Sequence, residues 1–509
     1  HTNRGWPRRE GQGRAPAGSE TLLDGLPRGF VARVLADLGQ REGEELVSSL
    51  RDRAQLGLRV NGTLGRAVEV VERLGWSAEP LPWSPEGVLL EDSGLDPDGA
   101  VRSHRASEAS HPAAAHPWHD AGAYYLQDPA AMGVVPVLDP QPGEAILDLA
   151  AAPGGKSTYI ADRLHGTGML WSHDVDPGRT GALVGNLERW GATNVVVSHG
   201  PVSRLAPVYG TFDRVLLDAP CSGEGMFRKS RAAVDLWSAA RVSEFVTIQA
   251  RLLDEAVAFL KPGGVLVYST CTFGADENEG AISSLLSRRD DVVMESFTVA
   301  GASGGLESCG GSASLQGSVA RWWPHRQAGE GHFVARLRKE GERAASALSR
   351  RSRAAGLPGK EPSSAELAAF EAFRAETLGG ISPVFGPIRS FGDWLHALPA
   401  ADLPAALGSD GLVPRRVGTP LGRLAHGRFE PHHALSHALP LHGDAAARLD
   451  LDADDARVAA FLKGEVITAD ADDVADGWLL VRASGLPLGW AKAKRGELNN
   501  QYPKGLRHG

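Results

Sequence analysis

Cysteine is the scarcest informative residue, with 3 in 509 positions. That count excludes a disulfide framework, fits a reducing cytoplasm, and makes a cysteine in a patterned segment more a chemical than a structural residue. No apolar run approaches the roughly 18 residues of a membrane span, so no membrane association is expected. A basic excess is also missing: 53 Lys and Arg stand against 62 Asp and Glu, a formal charge of −9. This argues against a generally basic nucleic-acid coat, although a local basic groove fits inside an acidic total. There is no internal repeat of 20 to 50 residues. At about 150 residues per domain, the length suggests roughly three domains.

What is present divides the chain. Residues 1–21 are rich in Arg, Gly and Pro, lack an apolar signal region, and read as a disordered extension. Over 22–120 the pattern predicts a helical and α/β module. Phe30, Val31, Val34, Leu35, Leu46 and Leu50 recur at helical spacing, followed by strand candidates at 58–61 and 87–91 around a helix-like stretch, 64–74. Segment 96–120 carries His104, His111, His116 and His119 at irregular spacing without cysteine, which predicts a solvated loop and no metal site. Over 121–340, strand candidates at 145–149, 169–174, 195–198, 214–217, 265–269 and 332–337 alternate with helices, predicting a parallel α/β sheet. Ligands of such sheets bind beyond the carboxyl ends of the strands. Residues 341–380 read as a linker, and 381–509 as a separate small domain.

Ile146-Leu-Asp-Leu-Ala-Ala-Ala-Pro-Gly-Gly-Lys-Ser-Thr158 is a buried strand, a tight turn and a helix start. Gly154 and Gly155 permit close backbone approach, and the helix start offers free N–H groups to an anion or carboxylate. The turn lacks both the dinucleotide and the P-loop glycine spacing, so S-adenosylmethionine fits better than a pyrophosphate. Asp174, ending the next strand, sits where an acid accepts ribose hydroxyls, with Asp176 a second candidate.

Two further strands end in Asp218-Ala-Pro-Cys-Ser-Gly-Glu-Gly225 and Thr270-Cys-Thr272, so Cys221 and Cys271 face one cleft on the edge that carries the glycine turn. Methylating carbon-5 of cytosine requires a nucleophile to add first at carbon-6, and a thiolate suits that task. Asp218 is placed to hydrogen-bond the ring nitrogen and exocyclic amine. A second thiol could strip the carbon-5 proton or release the enzyme.

Together with Ala150-Ala-Ala-Pro-Gly-Gly-Lys156, these motifs resemble the signatures of the NSUN family of RNA 5-methylcytosine methyltransferases. The resemblance implies a Rossmann-like methyltransferase fold that uses S-adenosylmethionine. It implies Cys271 as nucleophile and Cys221 as the group aiding product release. It places Ala150, Ala151, Ala152, Pro153, Gly154, Gly155, Lys156, Asp174 and Asp218 against the cofactor, with Lys156 reaching toward the active site. Ser198-His-Gly-Pro201 departs from the family where relatives often carry an adenine-contacting aspartate. Further segments, Leu58-Arg-Val-Asn61, Arg428-Phe-Glu-Pro-His432 and Asn500-Gln-Tyr-Pro-Lys-Gly-Leu-Arg507 among them, are similar to the bacterial ribosomal RNA small-subunit methyltransferase F type. That similarity implies a PUA-like C-terminal domain, and 16S ribosomal RNA or the small subunit as partner, with no DNA expected. A tRNA methyltransferase and a non-catalytic RNA-binding assembly factor are the alternatives.

The tail over 486–509 carries Lys492, Lys494, Arg495, Lys504 and Arg507 with Trp490 and Tyr502 interleaved, a composition suited to phosphate contact and base stacking. Arg228 and Lys229, just past the Pro-Cys motif, are candidates to hold the phosphate beside a flipped base. Cys309, in a Gly- and Ser-rich loop, receives no role.

Overall fold

The computed structural model describes residues 22–23, 25–91, 112–306, 315, 317–342, 357–381, 386–401, 403, 407, 414–439, 445–470 and 472–508. The expected N-terminal extension, His104, His111 and Cys309 lie outside them.

Helices α1 (Arg28–Leu38) and α2 (Gln40–Ser49) form where the apolar spacing placed them, separated by Gly39 at φ 77°. Their buried face, Phe30, Val31, Val34 and Leu46, packs on Phe227, Trp237, Phe273 and Trp323. The cap therefore rests on the loops that follow the two cysteines. Strand β1 (Gly57–Val60) is buried at all four positions, because it lies inside a sheet. After helix α3 (Ala67–Arg73) come β2 (Ala78–Leu81), β3 (Ser84–Leu90) and β4 (Tyr124–Gln127), giving the antiparallel order β2-β3-β1-β4. The module thus extends past residue 120.

The expected solvated histidine loop is replaced, over its described part, by two short helical turns, Pro112–Ala115 and Pro117–Asp120. His116 Nδ1 accepts the N–H of Trp118 and caps the second turn, while Ala113 and Trp118 are buried. Burial pulls the His119 imidazole down to about 3, so it stays neutral. Apolar partners at Ala113, Trp118 and Tyr124 order a segment whose composition reads as loop.

Helix α4 (Val134–Leu138) leads into the central sheet, which is built on β5 (Ala145–Asp148), β6 (Met169–Asp174), β7 (Val195–His199), β8 (Phe212–Asp218) and β9 (Leu260–Thr270), all parallel in the order β9-β8-β5-β6-β7. Side chains alternate between two buried faces. Leu147, Trp171, Val196, Val215 and Leu266 face one core, whereas Ile146, Leu170, Val197, Leu216 and Val267 face the other. The all-parallel expectation fails at the edges. Strands β10 (Val292–Met294), β11 (Val319–Trp322) and β12 (His332–Lys339) are joined by antiparallel pairing, with β12 against β9. The short connection from β11 to β12 leaves no room for the crossover that parallel pairing needs.

The assigned linker is also wrong in part, since residues 364–377 form a helix with a Ser363–Glu366 capping box. Its Phe370 and Phe373 pack on Phe429, and Phe373 meets Trp490, fastening it to the C-terminal region. That region contains a four-stranded and a five-stranded sheet and is not separate. Arg416–Val417 pairs antiparallel with β7, and Phe461, Leu498 and Tyr502 share one core with Leu58 and Tyr124 of the N-terminal module. Asp120 sits at this seam, accepting from Tyr502 Oη at 3.4 Å and pairing with His508 Nε2 at 3.2 Å.

Two glycines close the junction by direct backbone approach. A Cβ at Gly122 (φ 75°) would lie 1.9 Å from the Arg189 carbonyl oxygen, and one at Gly191 (φ 73°) 2.3 Å from that of His437. Gly122→Ala is expected to cost about 2–3 kcal/mol, lowering Tm by roughly 4 °C or more. Gly210→Ala, at φ 70° with open space around it, should cost clearly less. Thermal melts in parallel test this, and equal losses would refute the packing account.

Candidate active site

Gly154 takes φ 114° and turns the chain from β5 into helix α5 (Gly155–Arg163), whose start no side chain caps. The unpartnered N–H groups of its first turn border a cavity of about 190 Å³. Ala150, Ala151, Ala152, Pro153, Gly155, Lys156 and Asp218 line it, and Tyr125 and Gln127 of β4 close the opposite wall. A Cβ at Gly155 would press on both. Gly154 does not line the cavity; its part is the turn.

Asp174 is buried behind the turn, not on the cavity wall. Its carboxylate accepts from Ala152 N and Asp176 N, each at 3.0 Å, and lies 3.5 Å from Arg179 Nη1. Asp176 is exposed and accepts from Gly178 N. Ser198, at the departure from the family pattern, is buried; its hydroxyl accepts from Trp171 Nε1 at 2.8 Å and bonds His173 Nδ1 at 2.8 Å.

Two residues that motif reading missed support this cavity. Asp148 ends β5 and receives Ser157 Oγ at 2.6 Å, but its buried Oδ1 has no protein partner, and burial pushes the carboxyl up to about 7. Arg59 lies between the rings of Tyr159 and Trp190, at 4.6 and 4.4 Å, and donates to Gly155 O and Thr158 Oγ1. An arginine within the apolar run Leu58–Val60 was the available signal.

Asp218 is the register partner of Ser269 across β8 and β9, which sets the two cysteine loops side by side. Its Oδ1 accepts from Ser269 Oγ and its Oδ2 from Lys156 Nζ, both at 2.7 Å, with His332 Nε2 3.6 Å from Oδ1. Burial opposes ionisation, but the Lys156 ammonium and His332 prevail and hold the carboxyl well below the usual range. At 31 % side-chain exposure it remains open to a ligand.

The thiols of Cys221 and Cys271 approach to 3.4 Å. The hydrogen bond with Cys271, burial and the charge on Cys271 together raise the Cys221 thiol well above its ordinary value. Beneath them two buried carboxylates tie the loops together. Glu224 accepts from Phe273 N, Gly274 N, Arg33 Nη2 and Trp237 Nε1; Glu277, pushed up to about 7 chiefly by burial, accepts from Ser222 N and Oγ and Gln249 Nε2.

Other expectations change. Arg228 is buried in an ion pair with Glu330 at 2.6 Å and is not presented to a phosphate; Lys229 lies 3.7 Å from Asp128. Trp490 and Tyr502 are core residues, Trp490 packed against Phe373 and Tyr502 against His433 and Phe461. Lys492, Lys494, Arg495 and Lys504 remain exposed. Among the described residues no group of three or more His, Cys, Asp or Glu is disposed to hold a metal, and no helix is long and apolar enough to cross a membrane.

Known proteins match along the chain. The family model described as "16S rRNA methyltransferase RsmB/F" covers residues 135–338, "N-terminal domain of 16S rRNA methyltransferase RsmF" covers 26–129, and "Methyltransferase RsmF PUA domain" covers 448–508. Ribosomal RNA small subunit methyltransferase F of Shewanella amazonensis is 31% identical over 89% of this chain and 91% of its own length. The protein of that name from Aeromonas salmonicida is 31% identical over 94% and 97%. Of solved structures, a methyltransferase homolog protein from Pyrococcus horikoshii has TM-score 0.51 and 29% identity over 61% of this chain and 94% of that one. NSun6 from the same organism, with SFG, has TM-score 0.53 at 22% identity over 63% and 100%, a likeness of fold.

A five-stranded parallel core, a glycine turn opening on a cavity and a PUA domain at the C-terminus define a Rossmann-like methyltransferase. Its sequence relatives narrow this to RNA methylation. The chain belongs to the 16S rRNA methyltransferase RsmB/F family, among the ribosomal RNA small subunit methyltransferases F.

The thiol geometry is testable without substrate. The hydrogen bond with Cys271 and burial hold the proton on Cys221, so iodoacetamide at pH 8 should label the Cys271 peptide about tenfold faster than the Cys221 peptide. Equal labelling rates by peptide mass spectrometry would contradict the coupling.

Proposed function

We propose that this enzyme methylates carbon-5 of a cytosine in 16S ribosomal RNA, with S-adenosylmethionine as donor, Cys271 as nucleophile and Cys221 as the releasing group. The approach of two thiols to 3.4 Å, on the loops that follow Asp218 and its register partner Ser269, with Asp218 itself lining the cavity, carries this reading.

The cavity residues suit the donor. The uncapped start of α5 offers N–H groups to its carboxylate, and the unpartnered Asp148 Oδ1 offers an acceptor to its ammonium. When bound, the sulfonium supplies an electrophilic methyl group. The Cys271 thiolate adds to carbon-6 of the base, and the electron pair of the ring double bond moves toward carbon-5, which becomes nucleophilic. Asp218, held ionised, accepts from the exocyclic amine, and the Lys156 ammonium beside it offers a proton to the ring as charge builds.

Until that point the hydrogen bond with Cys271, together with burial, holds the proton on Cys221. Once the sulfur of Cys271 is bonded to carbon-6 that hydrogen bond is lost, and the Cys221 proton can leave to solvent. The Cys221 thiolate then takes the carbon-5 proton, the C5–H pair re-forms the C5=C6 bond, and Cys271 departs as thiolate with its bonding pair. One proton reaches solvent per methyl group transferred.

Exposed Lys492 and Lys494 on the PUA domain support a sequence-independent grip on RNA backbone.

Cys271→Ala should abolish transfer, whereas Cys221→Ala should accumulate a protein–RNA adduct resistant to denaturation. Bisulfite sequencing of RNA from cells lacking the protein should show loss of 5-methylcytosine at a small-subunit ribosomal site. Loss confined to tRNA would overturn the substrate, and interchanged variant behaviour would overturn the two cysteine roles.

Replacing Lys492 and Lys494 together by Ala should leave Tm unchanged and reduce the salt slope of RNA binding by about two. Trp490→Ala should instead cost about 3–5 kcal/mol of stability. Binding titrations at several salt concentrations, with melts, separate the two; an unchanged slope would remove this face from the RNA contact.

A further inference from the structure

Glu277 lies in neither cysteine motif, is fully buried, and belongs to the segment that follows Cys271. Its carboxylate nevertheless grips the opposite loop. Oε1 accepts the Ser222 N–H at 2.8 Å, and Oε2 accepts the Ser222 hydroxyl at 2.5 Å. Gln249, from the long helix Ala239–Phe259, donates from Nε2 both to Pro220 O at 2.9 Å and to Glu277 Oε1 at 3.1 Å. Cys221 is thereby bracketed on each side, at Pro220 O before it and at Ser222 N after it. The carboxylate's hold on its own loop is weak, a 3.5 Å approach from Thr272 Oγ1.

Glu224 is the mirror case. It belongs to the Cys221 loop but accepts from Phe273 N at 3.0 Å and Gly274 N at 3.2 Å, just past Cys271. Each loop thus contributes a buried acid that holds the other, and the two acids act on different thiols. A carboxylate suits this task because it accepts several donors and offers none. An amide in its place would turn an N–H₂ toward Ser222 or Gln249.

We infer that Glu277 is the positioning residue of Cys221, fixing through Ser222 and Gln249 the thiol that releases the methylated base, while Glu224 fixes Cys271. The inference rests on the cysteine roles proposed above. Glu277 acts on the last step, in which the carbon-5 proton passes to Cys221 and the C6–S bond to Cys271 breaks. Losing it should slow release more than methyl transfer.

The experiment uses the full chain, S-adenosylmethionine and small-subunit ribosomal RNA from cells lacking the protein. Cys221→Ala and Cys271→Ala serve as references for Glu277→Gln and Ser222→Ala. In Glu277→Gln, the steady-state denaturation-resistant adduct should rise about fivefold or more and turnover should fall about tenfold, while single-turnover methyl transfer changes by less than about threefold and KM for RNA is kept. Ser222→Ala, which removes one donor and leaves the backbone bond, should shift adduct and turnover the same way by a smaller factor. It decides the matter if Glu277→Gln does not fold. Parallel loss of adduct and single-turnover transfer in Glu277→Gln, or wild-type behaviour of both variants, would overturn the inference. If Cys221→Ala itself accumulates no adduct, the release role of Cys221 fails first and the inference falls with it. If Cys221→Ala accumulates adduct and the folded Glu277→Gln does not, only the inference fails.

Discussion

Parallel pairing of β8 with β9, with Asp218 opposite Ser269, is the constraint from which the site follows. Each strand ends at that level, and each continues into a loop with a cysteine a few residues on. Because the strands are neighbours, the loops have no space to diverge, and the thiols meet at 3.4 Å. Asp218 gains Ser269 on one oxygen and, from the next element across the sheet, Lys156 on the other. A shift of one residue in this register would turn every side chain to the opposite face and dissolve both contacts.

Charge in the site is arranged in pairs that differ in kind. Asp218 and Lys156 hold each other ionised at the rim. The two thiols, 3.4 Å apart, form a second pair, in which the hydrogen bond with Cys271 and burial hold the proton on Cys221. Below them Glu224 is kept charged by Arg33 from the helical cap, whereas Glu277 has only neutral hydrogen-bond donors, and burial with the nearby Glu224 charge pushes its carboxyl up to about 7. The cap is thus part of the site, because Arg33 supplies the charge without which a fully buried Glu224 would not remain a carboxylate.

Local signals were legible in the sequence and distant ones were not. The glycine turn, the Pro-Cys and Thr-Cys loops and the strands of the parallel core each show themselves within a dozen residues. Glu224 meets Phe273 across 49 positions and Ser222 meets Glu277 across 55, so neither spacing carries a pattern. Interleaved lysines and aromatics in the tail looked like one surface. Packing covers the strand on both faces at Trp490 and on one face from Lys492 onward, so rings and charges part. The histidine loop and helix 364–377 were misread for a related reason. Their composition is that of a linker, and only tertiary partners such as Tyr124 and Phe429 make them ordered.

The cavity and the PUA domain are not independent in this chain. Tyr125 and Gln127, which wall the cavity, belong to β4, and Arg59 on the adjacent β1 bonds both Gln127 and the first turn of α5. The same N-terminal module shares its core with the PUA domain through Tyr124, Phe461 and Tyr502, and Asp120 is bonded from the last residues of the chain. Among the described residues, packing is thus continuous from the PUA domain to the wall facing Lys156 and Asp218. The docking of three modules on one another, which the sequence presented as beads joined by linkers, is what makes the cavity a cavity: without β4 the glycine turn would be an open groove on the sheet edge.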